Sequence, residues 1–552
     1  MDRNPEHPDL TDDEIARVRR FGEERRLEVG DVIFAAGDES YDFVVLVEGR
    51  VEIRVGSGGN EEVVATHGPG RFLGELSMLT DQRVYLTAVV VEPVTAVVVP
   101  RADLRRLFAA EPDLSDLILR AFVARRQTLQ GGSGARSLQL LGSRFSPRTV
   151  ALRGFLVRAG LPHVWLDVED VEDAAVLLAG FGVRPSDTPV VVSSTAVLRN
   201  PDPGELAEHL GLTYRGVPGH IFDVVVVGAG PAGLAAAVYG ASEGLDVVVL
   251  EGHDVGGQAG TSSRIENYLG FPNGLSGLDL STRATVQAQK FGARITLPCQ
   301  VAAFHPQEGW YVVELADGSE VPARSVVVAT GAEYRRPPVE RWGELEGAGV
   351  YYAATETEGR LCAGERVAVL GGGNSAGQAA LFLAGKGCEV HVVVRSDDLG
   401  RSMSRYLVDR IEADPRITVE LRTEIRALRG EDRLTGARWE RTATGAVEDV
   451  DLAAVFCFIG AVPSTAWTSG CLATDDDGFL LTDRDLGDGP FAGPWASLDR
   501  PPLPLETSVP GVFAAGDVRA GSVKRVAAAV GEGSTAIRSV HAHLAGVGAR
   551  DG

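Results

Sequence analysis

The chain has 552 residues, too many for one hydrophobic core, and this length implies about three to five domains. With 53 Lys and Arg against 76 Asp and Glu its net charge is −23, which repels nucleic acid and anionic membranes, and its 44% apolar content is ordinary for a soluble globular protein. No stretch reaches the roughly eighteen apolar residues of a membrane span, and the polar, acidic start "MDRNPEHPDLTDDE" resembles neither a secretory signal nor a transit peptide, so the expected compartment is the cytoplasm.

Residues 1–130 open on a helical segment, "TDDEIARVRRFGEE", in which Thr11 and Glu14 have capping-box spacing. Short strands follow, "FVVLVEGRVEIRV", "VVATHG" and "TAVVVEPVTAVVVP", and the helical stretch "RADLRRLFAAEPDLSDLILRAFVARRQTL" closes the segment. Strands bracketed by helices predict a β-roll or small barrel. "GGSGA" (131–135) reads as a flexible linker. Residues 136 to about 215 then alternate the strands "SLQLLG", "HVWLDV" and "PVVVSS" with the helices "SPRTVALRGFLVRAG" and "EDAAVLLAGFG", ending in "PGELAEHLG".

From Asp223 two segments repeat one plan of strand, glycine turn, helix and strand. In "DVVVVGAGPAGLAAAVYGASEGLDVVVLEG", Gly228, Gly230 and Gly233 form G-x-G-x-x-G after a four-valine strand, and Glu251 stands where a carboxylate can bind ribose hydroxyls. In "RVAVLGGGNSAGQAALFLAGKGCEVHVVVR", Gly371, Gly373 and Ala376 occupy the equivalent positions. There the second strand ends in Arg395, a cation that can pair with a 2′-phosphate and favours NADPH over NADH, with Ser396 and Arg401 nearby. Two nucleotide sites in one chain imply hydride transfer from nicotinamide to flavin. The five cysteines (Cys299, Cys362, Cys388, Cys457 and Cys471) form no C-x-x-C, which argues against a disulfide framework and a zinc site, and no metal is expected.

The motifs "GAGPAGLAAAVYGA", "GGQ", "IENYLGFP", "VVVATGAEYRRP", "GGGNSA", "FIGAVPST" and "GVFAAGDV" run in order through residues 220–545, which resemble the low-molecular-weight thioredoxin reductase family. The resemblance implies an FAD set of Gly228, Gly230, Pro231, Ala232, Gly233, Glu251, Gly252, Gly257, Gln258, Asn267, Val301, Thr330, Gly331, Gly516, Asp517, Lys524, Arg525 and Val526. It implies an NADPH set of Gly371, Gly372, Gly373, Asn374, Ser375, Ala376, Arg395, Ser396, Arg401, Ile459 and Gly460. The family usually has Arg-Gln-Ala where this chain has Lys524-Arg525-Val526, and Arg525 is expected to bring positive charge to the pyrimidine end of the flavin. The family's two active cysteines fall on Ala354 and Thr357, neither of which can attack a disulfide. Cys362 or Cys388 is the alternative for a relocated relay. A homodimer is expected by the same resemblance.

"GRFLGELSMLTDQRVYLTAVV" resembles the signature of a cyclic-nucleotide-binding domain, which implies that Gly74, Glu75, Leu76 and Ser77 cradle the phosphate and ribose of cAMP or cGMP. With Thr87 matched, the family's phosphate arginine falls on Val84, and Arg83 is one residue early. The alternative is a roll kept for docking or dimerisation. Residues 136–212 resemble a glutaredoxin or thioredoxin-like domain, with Pro189 the candidate cis-proline and Ser146-Pro147-Arg148-Thr149 where the dithiol would stand.

The expected fold is multidomain α/β: a β-roll over 1–130, a redox-inert thioredoxin-like unit over 131–217, an FAD domain from 218–338 and 462–552, and an NADPH domain over 339–461. The expected function is an NADPH-dependent FAD oxidoreductase whose acceptor is a quinone, dioxygen, a flavodoxin or an iron–sulfur protein, with a cyclic nucleotide as the candidate effector. The alternatives are a non-enzymatic redox or cyclic-nucleotide sensor, and a thioredoxin-disulfide reductase using a relocated thiol.

Overall fold

The computed structural model describes residues 4–55, 62–79, 83–84, 86–131, 138–170, 178–179, 181–193, 195–216, 219–260, 265, 268–307, 309–346, 348–352, 354, 356–431, 433–468, 470–487, 495, 498 and 500–548. Of the expected linker at 131–135, Gly131 ends the helix Pro112–Gly131; its residues 132–135 and the first six residues of the "EDAAVLLAGFG" helix lie outside the described residues.

The N-terminal β-roll comprises β1 (Glu23–Leu27), β2 (Val32–Phe34), β3 (Phe43–Val55), β4 (Glu62–His67), β5 (Phe72–Leu73) and β6 (Thr87–Val99). The two long strands β3 and β6 pair antiparallel through several register shifts, one at Gly49, whose φ of +87° and closeness to Pro93 admit no side chain. Alternating valines, phenylalanines and leucines fill the roll, and Phe122 of the helix Pro112–Gly131 closes it against Phe43 and Phe72.

The opening helix is shorter than the sequence suggests. It runs Asp12–Val18 behind the expected Thr11–Glu14 capping box, gives way to a 3₁₀ turn, and β1 begins at Glu23. Gly22 is the reason: its backbone lies so close to Val98 that an added Cβ would sit 2.4 Å from the carbonyl oxygen. The closing stretch is likewise two helices, Arg101–Ala110 and Pro112–Gly131.

The second unit is a four-stranded sheet of β7 (Leu138–Gly142), β8 (Val164–Asp167), β9 (Val190–Ser193) and β10 (Val197–Arg199), in the order β10-β9-β7-β8. The Thr188–Pro189 peptide is cis, and Pro189 lies beside Gly142 and Thr149 at the start of the helix Pro147–Arg158.

The remaining chain builds two parallel sheets. The first joins β11 (Val224–Val227), β12 (Val247–Leu250) and β13 (Arg294–Thr296), continues after the meander β14 (Val301–Pro306), β15 (Tyr311–Leu315) and β16 (Glu320–Ala323), and takes in β17 (Val326–Val328). A short strand, β18 (Ala332–Tyr334), leaves it. The second sheet contains β19 (Val350–Tyr351), β20 (Arg366–Leu370), β21 (Glu389–Val393) and β22 (Ile417–Glu420). It carries the meander β23 (Thr423–Arg429), β24 (Gly436–Arg441) and β25 (Ala446–Asp451), and is completed by β26 (Ala454–Cys457). β27 (Ala461–Pro463) pairs with β18, so two antiparallel strands join the sheets, and β28 (Val512–Ala514) returns to the edge of the first. Central strands such as β11 and β17 are buried throughout, which is why they read as unbroken valine runs. The fold is multidomain α/β.

Candidate functional site

The first glycine turn joins β11 to the helix Pro231–Ser242. Gly228 has φ +103°, and an added Cβ would fall 2.4 Å from the Ala329 carbonyl oxygen; at Gly233 it would fall 1.9 Å from that of Gly228. Gly230 has nothing within 4 Å of the corresponding point. Two glycines are thus fixed by packing, while the middle one keeps clear space above a helix N-terminus, as a pyrophosphate requires.

Glu251 follows β12 and is buried. Its carboxylate accepts from the backbone N–H of Ala229 (2.6 Å), His253 (2.8 Å) and Asp254 (3.2 Å), which ties the glycine turn to the end of the next strand. Burial pushes this carboxyl up and the three amides pull it down. Gly252 backs onto Gln300, and Val301 is buried in the adjoining meander. Gly256 (φ +101°) and Gly257 (φ +52°) lead into Gln258, whose side-chain amide donates to the Ala332 carbonyl. Thr330 donates its hydroxyl to Ser464 at 2.8 Å, and Gly331 has φ +67°. Asn267 lies outside the described residues.

The N–H of Gly516 donates to Glu532 at 2.7 Å. Burial raises the Asp517 carboxyl, opposed by the charge of Lys524, whose ammonium lies 4.9 Å from the Phe479 ring centre. Arg525 is exposed immediately before the helix Val526–Gly548, which packs so tightly on the first fingerprint helix that a Cβ at Gly533 would lie 2.2 Å from the Ala232 carbonyl oxygen.

The second turn repeats this design. Gly371 (φ +140°) would clash with the Phe458 carbonyl at 2.3 Å, Gly373 faces open space, and Ala376 is fully buried. Ser402 donates to the Gly372 carbonyl at 2.9 Å, and Asn374 accepts from the Ser404 N–H at 2.7 Å, drawing the segment after β21 over the turn. That segment carries the exposed Arg395 and Arg401, and Ser396 bonded to the Asp398 carbonyl at 2.8 Å. Ser375 is exposed at the helix start; Ile459 and Gly460 (φ +102°) follow β26 at the same end of the sheet as the glycine turn.

Ala354 packs on the core of the second sheet. The backbone of Thr357 belongs to the helix Glu356–Leu361, and its side chain lies outside the described set. Cys362 and Cys388 are buried; the Cys388 thiol donates to the Cys362 carbonyl at 3.1 Å, and Cys388 immediately precedes β21. Burial pushes the Cys362 thiol up to about 11 and raises that of Cys388. Cys457 is also buried and pushed up to about 11, Cys299 is raised by burial, and all five cysteines are free.

In the β-roll, Gly74 (φ +152°) and Glu75 precede the 3₁₀ turn Leu76–Leu79, in which the Leu76 and Ser77 side chains lie outside the described set. Arg126, from the closing helix, pairs with Glu75 at 3.0 Å, and Arg125 donates to the Gly74 carbonyl at 2.6 Å while lying over the Phe72 ring. These arginines carry no motif, and more than forty residues separate them from the turn they hold, so nothing in the sequence marks them. Val84 is in the core, whereas the Arg83 side chain lines a cavity outside the roll. Thr87 accepts from the Ala36 N–H at 3.1 Å.

The pyridine nucleotide-disulphide oxidoreductase family matches residues 222–533, and the cyclic nucleotide-binding domain family matches residues 24–111. The thioredoxin reductase of Treponema pallidum (strain Nichols) is 32% identical over 323 residues, 58% of this chain and 97% of that protein. The thioredoxin reductase of Streptomyces clavuligerus is 32% identical over 324 residues, covering 58% of this chain and 94% of that protein. Among solved structures, thioredoxin reductase of Lactococcus lactis (FR conformation) is 26% identical with a TM-score of 0.49, covering 59% of this chain and 99% of that one.

Proposed function

The chain belongs to the pyridine nucleotide-disulphide oxidoreductase family, and on that premise we propose that it is an NADPH-dependent FAD oxidoreductase that serves its acceptor without a dithiol relay. The observation that carries this reading is the state of the thiols. The two positions expected to hold a dithiol are Ala354 and Thr357, and the nearest cysteines, 362 and 388, are buried and held as thiols. A thiol at about 11 ionises to about one part in ten thousand at neutral pH, and the thiolate is the species that attacks a disulfide.

FAD, when bound, supplies the two-electron chemistry between nicotinamide and acceptor. The space above Gly230 and the N-terminus of the helix Pro231–Ser242 suit its pyrophosphate, and Glu251 keeps about one of its roughly four lone-pair sites for a ribose hydroxyl. Asp517 and Lys524 are assigned to the same cofactor, Gly516 packing against Ala232 at this helix N-terminus, and Arg525 contributes positive charge beside them. Gly371, Gly373 and the N-terminus of Asn374–Gly385 receive the second nucleotide, with Arg395, Ser396 and Arg401 on the side of its 2′-phosphate. Flavin-binding residues are assigned to 218–338 and 462–552, nicotinamide-binding residues to 339–461, and the assembly to a homodimer.

The β-roll is read as a regulatory module for cAMP or cGMP through Gly74, Glu75, Ser77 and Thr87. Without an arginine at Val84, one charged hydrogen-bonding partner of the phosphate is missing, and the expected affinity is about ten- to a hundred-fold lower than with it.

The test is anaerobic reduction by NADPH followed by a panel of quinone, dioxygen, flavodoxin, iron–sulfur protein and thioredoxin. Rapid bleaching of the flavin with turnover on an acceptor other than thioredoxin is expected. Thioredoxin reduction at an enzymatic rate, lost on Cys362→Ser or Cys388→Ser, would establish a relocated relay. Slow bleaching with no competent acceptor would establish a sensor.

A further inference from the structure

A cavity of about 760 Å³ lies where three parts of the chain meet. Its walls come from the β-roll, the second sheet unit with the segment after it, and the helix Gly277–Phe291 and β13 of the flavin-side sheet. Five arginines line it (Arg83, Arg101, Arg126, Arg215 and Arg294) against two carboxylates, Glu39 and Asp279. This excess of positive charge stands in a chain whose net charge is −23.

The two carboxylates are engaged. Glu39 pairs with Arg215 at 3.4 Å, and Asp279 pairs with Arg283 at 3.2 Å. No carboxylate among the described residues pairs with Arg83 or Arg294. The Nε of Arg83 is buried and has no hydrogen-bond partner, and Arg294 rests on the Phe222 ring at 5.3 Å. The charge of Arg83 also reaches His209, whose imidazole is lowered by burial and then by that charge. Like charges converging in a partly dry space repel, and a bound anion would relieve this. Arginine is the side chain best suited to phosphate oxygens.

We propose that this cavity is a binding site for a phosphorylated organic anion of nucleotide size, with Arg83 of the N-terminal unit and Arg294 of β13 as its phosphate-reading residues. The volume falls in the range of small-molecule sites, and Val123, Leu161 and Leu278 supply apolar surface for the organic part. The cavity borders the roll's phosphate turn through Arg126, which lines it and pairs with Glu75, but neither Gly74 nor Glu75 is among its described lining residues, and the Gly74 carbonyl is held by Arg125. The helix Gly277–Phe291 gives occupancy a route to the flavin side: Ser281 lines the cavity and sits against Gly256, where an added Cβ would be 2.3 Å from its hydroxyl.

The test is isothermal titration of the full-length protein with AMP and with inorganic phosphate as probes. AMP is expected to bind at least about tenfold more tightly than phosphate, and Arg83→Gln and Arg294→Gln are each expected to weaken AMP by about ten- to a hundred-fold. Arg83→Lys should recover part of the loss. Ser77→Ala, in the roll's own turn, should leave AMP binding unchanged. The proposal is overturned if AMP gives no saturable binding up to about 1 mM, if it binds no better than phosphate, or if Ser77→Ala abolishes binding that Arg294→Gln leaves intact. Should Arg294→Gln fail to fold by circular dichroism, Thr285→Trp fills the same wall; AMP binding unaltered by it would equally overturn the assignment.

Discussion

Tyr334 and Tyr352 stack with ring centres 5.3 Å apart and planes 6° from parallel, one ring on the strand that leaves the flavin-side sheet and the other just after β19. The contact bridges the two parallel-sheet units two residues before Ala354. Tyr352 also donates to Glu346 and accepts from the Trp342 indole N–H at 2.8 Å. Burial and then the Glu346 bond push its phenol up to about 12, so it stays a donor at physiological pH.

Tyr352→Phe is expected to keep the stack but leave the Trp342 indole N–H without its acceptor and remove one donor from Glu346, which Arg336 still pairs. The expected loss is about 1–2 kcal/mol of stability, read by urea unfolding. Tyr352→Leu should lose more, because the stacked pair contributes roughly 0.5–1.5 kcal/mol beyond its area.

Gly230→Ala and Gly233→Ala should fail differently. At Gly230 the new methyl enters clear space on an ordinary backbone, so the melting temperature of the flavin-free protein should hold while FAD content falls. At Gly233 it meets the Gly228 carbonyl at 1.9 Å, so stability and FAD content should fall together. Differential scanning calorimetry with the visible flavin spectrum separates the two.

Arg395→Gln should raise the KM for NADPH with little effect on that for NADH. Loss of a charged hydrogen bond of about 1.5–3 kcal/mol corresponds to about ten- to a hundred-fold. Equal effects on both nucleotides would mean that the arginine is a solvated charge.

His67 makes the β-roll acid-sensitive. It is 4% exposed, and burial, reinforced by Arg125, lowers its imidazole to about 3. Because the folded value lies below the unfolded one near 6.5, the unfolded chain takes the proton first. The stabilisation is therefore complete above about pH 6.5 and is lost as the pH falls towards 3, amounting to about 2 kcal/mol between pH 7 and 5. His67→Leu should flatten that part of the pH–stability curve, as measured by urea titration at several pH values.

The two glycine turns were legible because a close-packed turn leaves no choice of residue. Gly228 and Gly371 read as glycines in the sequence and prove to be positions where a side chain would strike a carbonyl. Valine runs announced buried parallel strands for the same reason, and the absence of C-x-x-C needed no structure. Helix ends were less legible: the expected first helix runs past Gly22 only until the approach of Val98 is known.

What the chain determined by itself were the features encoded over short spans: the two fingerprints, the missing dithiol, the order of the units and the capping box at Thr11. Only tertiary structure decided how distant charges meet. Arg83 stands one residue from an expected ligand position, and alternation along an extended chain sends it out of the roll while Val84 turns in. That Arg83 lines the same cavity as Arg294, more than two hundred residues away, depends on packing between units that leaves no local periodicity, spacing or motif in the sequence.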